Sequence, residues 1–189
     1  MNNRKQILVA SIISLLANVT YAKDENESGF YAVVTGGQTN IKSSYFDEEL
    51  KNNSWSIGVG YDINKYMAAE LAYQNLGNRS YKYINSVSSI SESESVSAWT
   101  GSLLARYPSG NYVPYVRLGY SKVNVDMDGS SLGFASSKSV NTPLYGLGVE
   151  MKLDELASIR LEYSTTNSSA SWGGTTKINT FQGGVVIRF

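Results

Sequence analysis

The chain has 189 residues, enough for one domain, and its 16 basic and 16 acidic side chains leave no formal net charge. Without a basic excess to neutralise phosphates, nucleic acid is not an expected partner. Histidine and cysteine are absent, which excludes a disulfide framework and any thiolate or imidazole metal site, and no cofactor is expected.

The first 22 residues read as a targeting segment. "MNNRK" carries positive charge, "ILVASIISLLANV" is an uncharged apolar run, and "TYA" places the small residues Thr20 and Ala22 before a polar stretch, "KDENES". This is the three-part layout of a secretory signal. The apolar run is shorter than the roughly 20 residues that a spanning helix needs. The expectation is cleavage after Ala22, with one mature domain over 23–189. No later run is long and apolar enough for a transmembrane helix.

From there the polarity alternates with period 2, the strand signature, in eight segments: 29–38, 54–62, 66–76, 97–107, 112–124, 142–152, 157–166 and 177–189. Short links ("DINK", "PSGN", "LDEL") alternate with four long ones. One long link contains "SVSSISESES", read here as a mobile low-complexity stretch. Strict alternation of short and long links implies an up-and-down meander with one tidy and one decorated end.

One face of every strand is apolar and carries no charge: Phe30, Ala32 and Val34 in the first, for example, and Phe181, Val185, Ile187 and Phe189 in the last. The other face reads as polar or very small, with charges grouped at mid-strand. A soluble ligand-binding barrel would turn the apolar face inward and scatter its charges outside. Aromatic residues oppose that arrangement, because they cluster at both ends of the apolar face. Phe30, Tyr61, Tyr107, Tyr112 and Phe189 fall at the short-turn end. Trp55, Tyr73, Trp99, Tyr120, Tyr145, Tyr163 and Phe181 fall at the long-loop end. Two such rings are the girdles of a membrane barrel, where aromatic bodies sit in lipid and polar edges meet headgroups. Tyr112 to Tyr120 covers roughly 26 Å of strand, or ~20 Å of membrane at a tilt of about 40°. The expected fold is therefore an all-β, eight-stranded, antiparallel up-and-down transmembrane β-barrel. Closure is required because lipid offers no hydrogen bonds to an open edge.

"GYDINKYMAAELAYQNLG", "YVRLGY", "YGLGVEMKLDELASIRLEYSTTN" and the closing "IRF" resemble the transmembrane domain of the OmpA-like outer-membrane proteins, a meander shared by the small Ail and OmpX surface barrels. The resemblance implies a monomer in a Gram-negative outer membrane, among lipopolysaccharide, with long loops extracellular. It also implies a lumen gate in which a glutamate, here Glu70, pairs with an arginine, here Arg160. Arg117, Glu150 and Glu162 match further lumen positions of the family. Thr35 and Leu104 stand where the family has lysines, so a gate that exchanges partners is not expected. No periplasmic wall-binding domain is expected after Phe189. The terminal aromatic resembles the signal read by the outer-membrane assembly machinery.

The residues themselves give a candidate lumen set of Glu70, Glu150 and Glu162 with Arg106, Arg117, Arg160 and Arg188, which fit one another as a neutralised network. A narrow gated pore is the alternative use of interior charge. Enzymatic activity is not expected: related barrel enzymes use a histidine base, and the loop acids Asp47, Glu48, Asp126 and Asp128 read as solvated. "GVG" at 58–60 and "GLG" at 146–148 lie inside strands with no helix following, so they are not nucleotide loops. The functional expectation is a structural or surface barrel with at most a small, largely occluded pore. The alternative is an adhesin binding a surface ligand through loop residues such as Tyr45, Phe46, Tyr81, Tyr83, Phe134 and Trp172.

Overall fold

The computed structural model describes residues 28–43, 46–85, 88–129, 134–169 and 175–189. The signal segment, Tyr45 and Trp172 lie outside them. Eight strands follow in order: β1 (Gly29–Ser43), β2 (Phe46–Asn64), β3 (Met67–Asn85), β4 (Ser88–Arg106), β5 (Tyr112–Gly129), β6 (Phe134–Lys152), β7 (Ala157–Ser169) and β8 (Thr175–Arg188). Each pairs antiparallel with the next, and β8 pairs with β1 from Tyr31↔Arg188 to Ser43↔Thr176. The sheet is a closed barrel, and its outward apolar side chains have no protein cover: Tyr107 is 71% exposed, Leu147 62% and Leu118 58%.

Local chemistry makes the tidy end tight. Between β2 and β3, Asn64 Oδ1 accepts from the backbone N–H of Tyr66 at 2.8 Å and of Met67 at 2.9 Å. Between β6 and β7, Asp154 Oδ1 accepts from Leu156 and Ala157 at 2.8 and 2.6 Å. Such side chains substitute for backbone partners in a turn.

The decorated end departs from expectation. Residues 88–95 of the expected linker "SVSSISESES" are part of β4, paired with β3 as far as Asn85↔Ser88. The other long links are also largely strand. Beyond the membrane both faces of a hairpin meet water, so strand no longer requires apolar alternation. Ladder hydrogen bonds to the neighbouring strand carry these polar sequences.

The long-loop end also forks. Pairing of β2 with β3 stops at Trp55↔Asn75, and pairing of β6 with β7 stops at Leu144↔Thr166, although the strands continue. A bulge at Asn75/Gly77 turns β3 away, with Gly77 at φ +125°, a conformation that side chains other than hydrogen rarely tolerate. At the other seam Pro143 has no N–H to donate, and Thr142 Oγ1 instead bonds the Asn167 carbonyl at 2.6 Å. Two extensions result, β3–β6 and β7–β8–β1–β2.

The inward face is less polar than the sequence suggests. Val33, Ala68, Leu104 and Val186 are buried inside with Tyr31 and Tyr115, and a second apolar cluster of Leu76, Ala98, Val123 and Ile178 lies nearer the long-loop end. An eight-stranded barrel is narrow enough that its own side chains fill it, and inward methyl groups pack there without needing partners.

Candidate functional site

Inward phase brings the charged residues of seven strands, β2 to β8, into one layer. Small opposite neighbours make this possible. Glu70 is paired in register with Gly60, Arg117 with Gly146, Glu162 with Gly148 and Arg160 with Gly184. Two of these glycines also accommodate rings: a Cβ at Gly148 would stand 2.5 Å from Tyr115 Cζ, and Gly60 lies against Tyr31.

Arg160, 1% exposed, is the hub. Its Nη1 donates to Glu70 Oε2 at 2.7 Å, while Nη2 and Nε donate to Glu150 Oε1 at 2.7 and 3.1 Å. Arg117 Nη2 bonds Glu70 Oε1 and lies 3.0 Å from Glu162 Oε2. Arg188 Nη2 reaches Glu150 Oε2 at 2.5 Å, and its Nε reaches Asp62 Oδ2 at 3.2 Å. Arg106 Nη1 donates to Asp62 Oδ1 at 2.5 Å. Tyrosines bind the layer together. Tyr31 donates to Glu70 Oε2 at 3.0 Å, and Tyr115 donates to Glu162 Oε2 at 2.5 Å. The Tyr31 ring has the guanidiniums of Arg106, Arg160 and Arg188 within 5.4–5.9 Å of its centroid.

Four carboxylates thus neutralise four guanidiniums. Removing charges from water is costly unless partners and hydrogen bonds replace the solvent, and arginine's fork serves two acceptors at once. The carboxylates of the layer are all engaged by arginine, which suits none of them to act as a free base.

Above it, toward the long loops, comes a hydroxyl layer. Thr100 and Ser121 lie 2.6 Å apart, Thr39 and Thr180 3.1 Å, and Thr35 bonds both Ser56 at 2.6 Å and Gln182 at 2.8 Å. Leu76, Ala98, Val123 and Ile178 then form a buried apolar cluster, with Ile41, Val96 and Val125 against them. A cavity of about 10 Å³ between Gln74, Ser121, Leu144 and Thr180 is at the limit for a single water.

Glu70, Arg106, Arg117, Glu150, Arg160, Glu162 and Arg188 are all drawn into the network. Leu104 is buried in the lumen, and Thr35 joins the hydroxyl layer, so neither expected lysine position supplies a competing cation. Asp62 and Tyr31 escape the sequence reading. Asp62 falls in the expected "DINK" turn, yet it continues the inward phase of Gly58 and Gly60, and that phase was the available signal. Tyr31 carries the phase opposite to Phe30.

The named aromatics lie outward. Phe30 and Tyr61 are in ring contact at 4.9 Å at the short-turn end, and Trp55–Tyr73–Trp99 form a chain at 5.9 and 5.3 Å at the other. Tyr107, Tyr120, Tyr145, Tyr163 and Phe181 are exposed on the same surface. Phe189 follows β8 as a half-buried residue, one past the last residue of the strand, and its N–H donates to the Phe30 carbonyl at 2.9 Å.

A closed eight-stranded barrel, apolar outside and charged within, defines a membrane-spanning β-barrel. The chain belongs to the outer membrane protein beta-barrel domain family, which it matches over residues 7–189. Its fold is similar to Neisserial surface protein A (TM-score 0.69, 17% identity, 86% of this chain and 99% of that one). It is also similar to Ail, the attachment invasion locus protein of Yersinia pestis (0.59, 18%, 88% and 100%). Among curated proteins it is 27% identical over 130 residues to the putative outer membrane usher protein YqiG of Escherichia coli K12, covering 66% of this chain and only 16% of that protein. The family places the chain in a Gram-negative outer membrane, with the long-loop end extracellular.

Proposed function

We propose that this protein is a structural, surface-exposed barrel whose lumen is occluded at rest, without enzymatic activity. The observation that carries the reading is the interlocked set of four arginines and four carboxylates across the bore, including the Glu70–Arg160 pair. The apolar cluster adds a second barrier in series, since a narrow hydrophobic constriction resists wetting. Planar-bilayer recording of the purified barrel tests it: the expected trace has no sustained conductance steps, and a stable open channel overturns it.

A second reading, attachment through the extracellular end, is supported by the fork. Above Trp55↔Asn75 and Leu144↔Thr166 the facing strand edges are open, and such edges accept partners by strand addition. The Ail structure was determined with a heparin analogue, sucrose octasulfate. Shortening the β3–β4 hairpin beyond residue 78 and measuring attachment to cells and matrix decides this reading. Unchanged attachment removes it.

In the same reading, residues 1–22 are a cleaved signal and the barrel is monomeric. The outward aromatics seat it at the two headgroup levels, and Phe189 serves the assembly machinery as a recognition signal. Mass measurement of the mature protein checks the cleavage.

A further inference from the structure

The charged layer has two tiers, and strand parity separates them. Asp62, Arg106, Glu150 and Arg188 come from β2, β4, β6 and β8, alternate strands around the barrel. The register puts them near one depth. From Asp62 it runs through Ala68 to Leu104, two residues nearer the long loops than Arg106. From Arg106 it runs through Tyr115 to Gly148, two residues nearer the loops than Glu150. From Arg188 it runs through Tyr31 to Gly60, two residues nearer the loops than Asp62. A row perpendicular to strands tilted by about 40° climbs ~6 Å over two strand spacings, and two residues down a strand give back ~5 Å. The step from Glu150 through Arg160 to Gly184 ends four residues from Arg188, so Arg188 is the lowest of the four, at the periplasmic mouth.

Charges alternate around this ring. Arg106 Nη1 meets Asp62 Oδ1 at 2.5 Å, Asp62 Oδ2 meets Arg188 Nε at 3.2 Å, Arg188 Nη2 meets Glu150 Oε2 at 2.5 Å, and Glu150 Oε1 lies 3.9 Å from Arg106 Nη2. Glu70, Arg117 and Glu162, on β3, β5 and β7, form the other tier, nearer the long loops. Arg160 joins the two tiers through Glu70 and Glu150.

We propose that the even-strand ring is a periplasmic gate of its own, with Arg188 as the leaf that opens. This rests on the occluded lumen proposed above. Arg188 is the last residue of β8, and its side chain is 15% exposed where those of Arg106 and Arg160 are 4% and 1%. When Arg188 swings out, Asp62 keeps Arg106 and Glu150 keeps Arg160. Arg188 itself regains water. No charge is left buried without a partner, the condition that makes breaking an interior ion pair costly. Arg117 has no such freedom, because Glu162 has its arginine contact through it. Opening the leaf exposes the Glu70 tier to the periplasm, while that tier and the apolar cluster keep the bore occluded.

The absence of cysteine allows a single thiol to report on access. Ser102 is paired in register with Glu70, and its hydroxyl is buried without a hydrogen-bond partner, so Ser102→Cys places a thiol in the upper tier at little cost. Thr180→Cys reports from the hydroxyl layer on the extracellular side of that tier. The barrel in nanodiscs is treated with aminoethyl methanethiosulfonate, a small cation drawn to a ring that has lost an arginine, and labelling is followed by mass. The expected result is slow labelling of Ser102→Cys, quickened about tenfold or more by Arg188→Ala, since labelling tracks the population of the open form. Thr180→Cys stays protected in both backgrounds. Lys152→Ala, exposed at the same mouth but outside the ring, leaves the Ser102→Cys rate unchanged. Slow labelling that Arg188→Ala does not quicken overturns the gate and leaves the occluded lumen standing. Equal quickening at Ser102→Cys and Thr180→Cys means a loosened barrel and also overturns the gate. Rapid labelling of both reporters with Arg188 intact overturns occlusion, and the gate with it. Heat-modifiable gel mobility of every variant separates these outcomes from a barrel that has not folded.

Discussion

The ring of Tyr31 lies directly over Gly60: a Cβ at residue 60 would stand 2.0 Å from Tyr31 Cζ. Tyr31 also donates to Glu70, so this one glycine holds open the seat of a residue that the charge layer uses. Gly60→Ala is expected to destabilise the barrel by about 1–3 kcal/mol through overpacking. Urea unfolding of the barrel folded in lipid measures it. In a double-mutant cycle with Tyr31→Ala the cost shrinks, because the clash needs both partners. A cost that persists unchanged locates the strain elsewhere.

Arg160 serves Glu70 and Glu150 together. Arg160→Met leaves two buried carboxylates short of their partner, and the expected loss is ~3–5 kcal/mol. Glu70→Gln is expected to cost less, since an amide still accepts hydrogen bonds without its charge. Unfolding midpoints of the two variants in one lipid give the ranking, and the reverse order contradicts the hub role of Arg160.

Two barriers in series make single openings ineffective. Glu70→Ala or Arg160→Ala alone is expected to leave bilayer conductance near the wild-type baseline, because the proposed apolar barrier of Leu76, Val123 and Ile178 remains. Glu70→Ala combined with Ile178→Asn is expected to conduct. If Glu70→Ala conducts by itself, the ionic layer is the sole seal.

Gly77 is the hinge of the fork. Gly77→Ala places a side chain at φ +125° and 2.5 Å from Asn52 Cβ, and the expected cost is above 1 kcal/mol. Cleavage of the β3–β4 hairpin by added protease is expected to rise, while the membrane-embedded part keeps its heat-modifiable mobility. Unchanged protease sensitivity removes the hinge.

Eight strands, their phase and the outward aromatics were readable because lipid imposes a strict rule on every second residue, as in Phe181, Val185 and Ile187. The charged lumen was readable for a related reason: Arg117 and Glu162 are conspicuous in an otherwise small, polar phase. Inside the bore the rule relaxes. Leu104 and Val186 fit there as well as Thr100 does, so the apolar inner cluster leaves no periodic mark. Beyond the headgroups the rule vanishes. The serines of β4 carry strand only because β3 pairs with them, a fact of tertiary context rather than of local sequence. The fork depends on Gly77 and Pro143, two residues whose meaning appears only once the neighbouring register is known.

The seam between β1 and β8 has a consequence for how the molecule is made. Thr35 and Gln182 share a hydrogen bond across it, 147 residues apart in the chain. No early segment can close a cylinder on its own, and such distant pairing is slow to form. Until β8 arrives, every strand shows a greasy flank to water and β1 keeps an unsatisfied border, the combination that drives clumping. The chain is therefore at its most aggregation-prone before β8 meets β1, and the last strand to be made decides when that exposure ends.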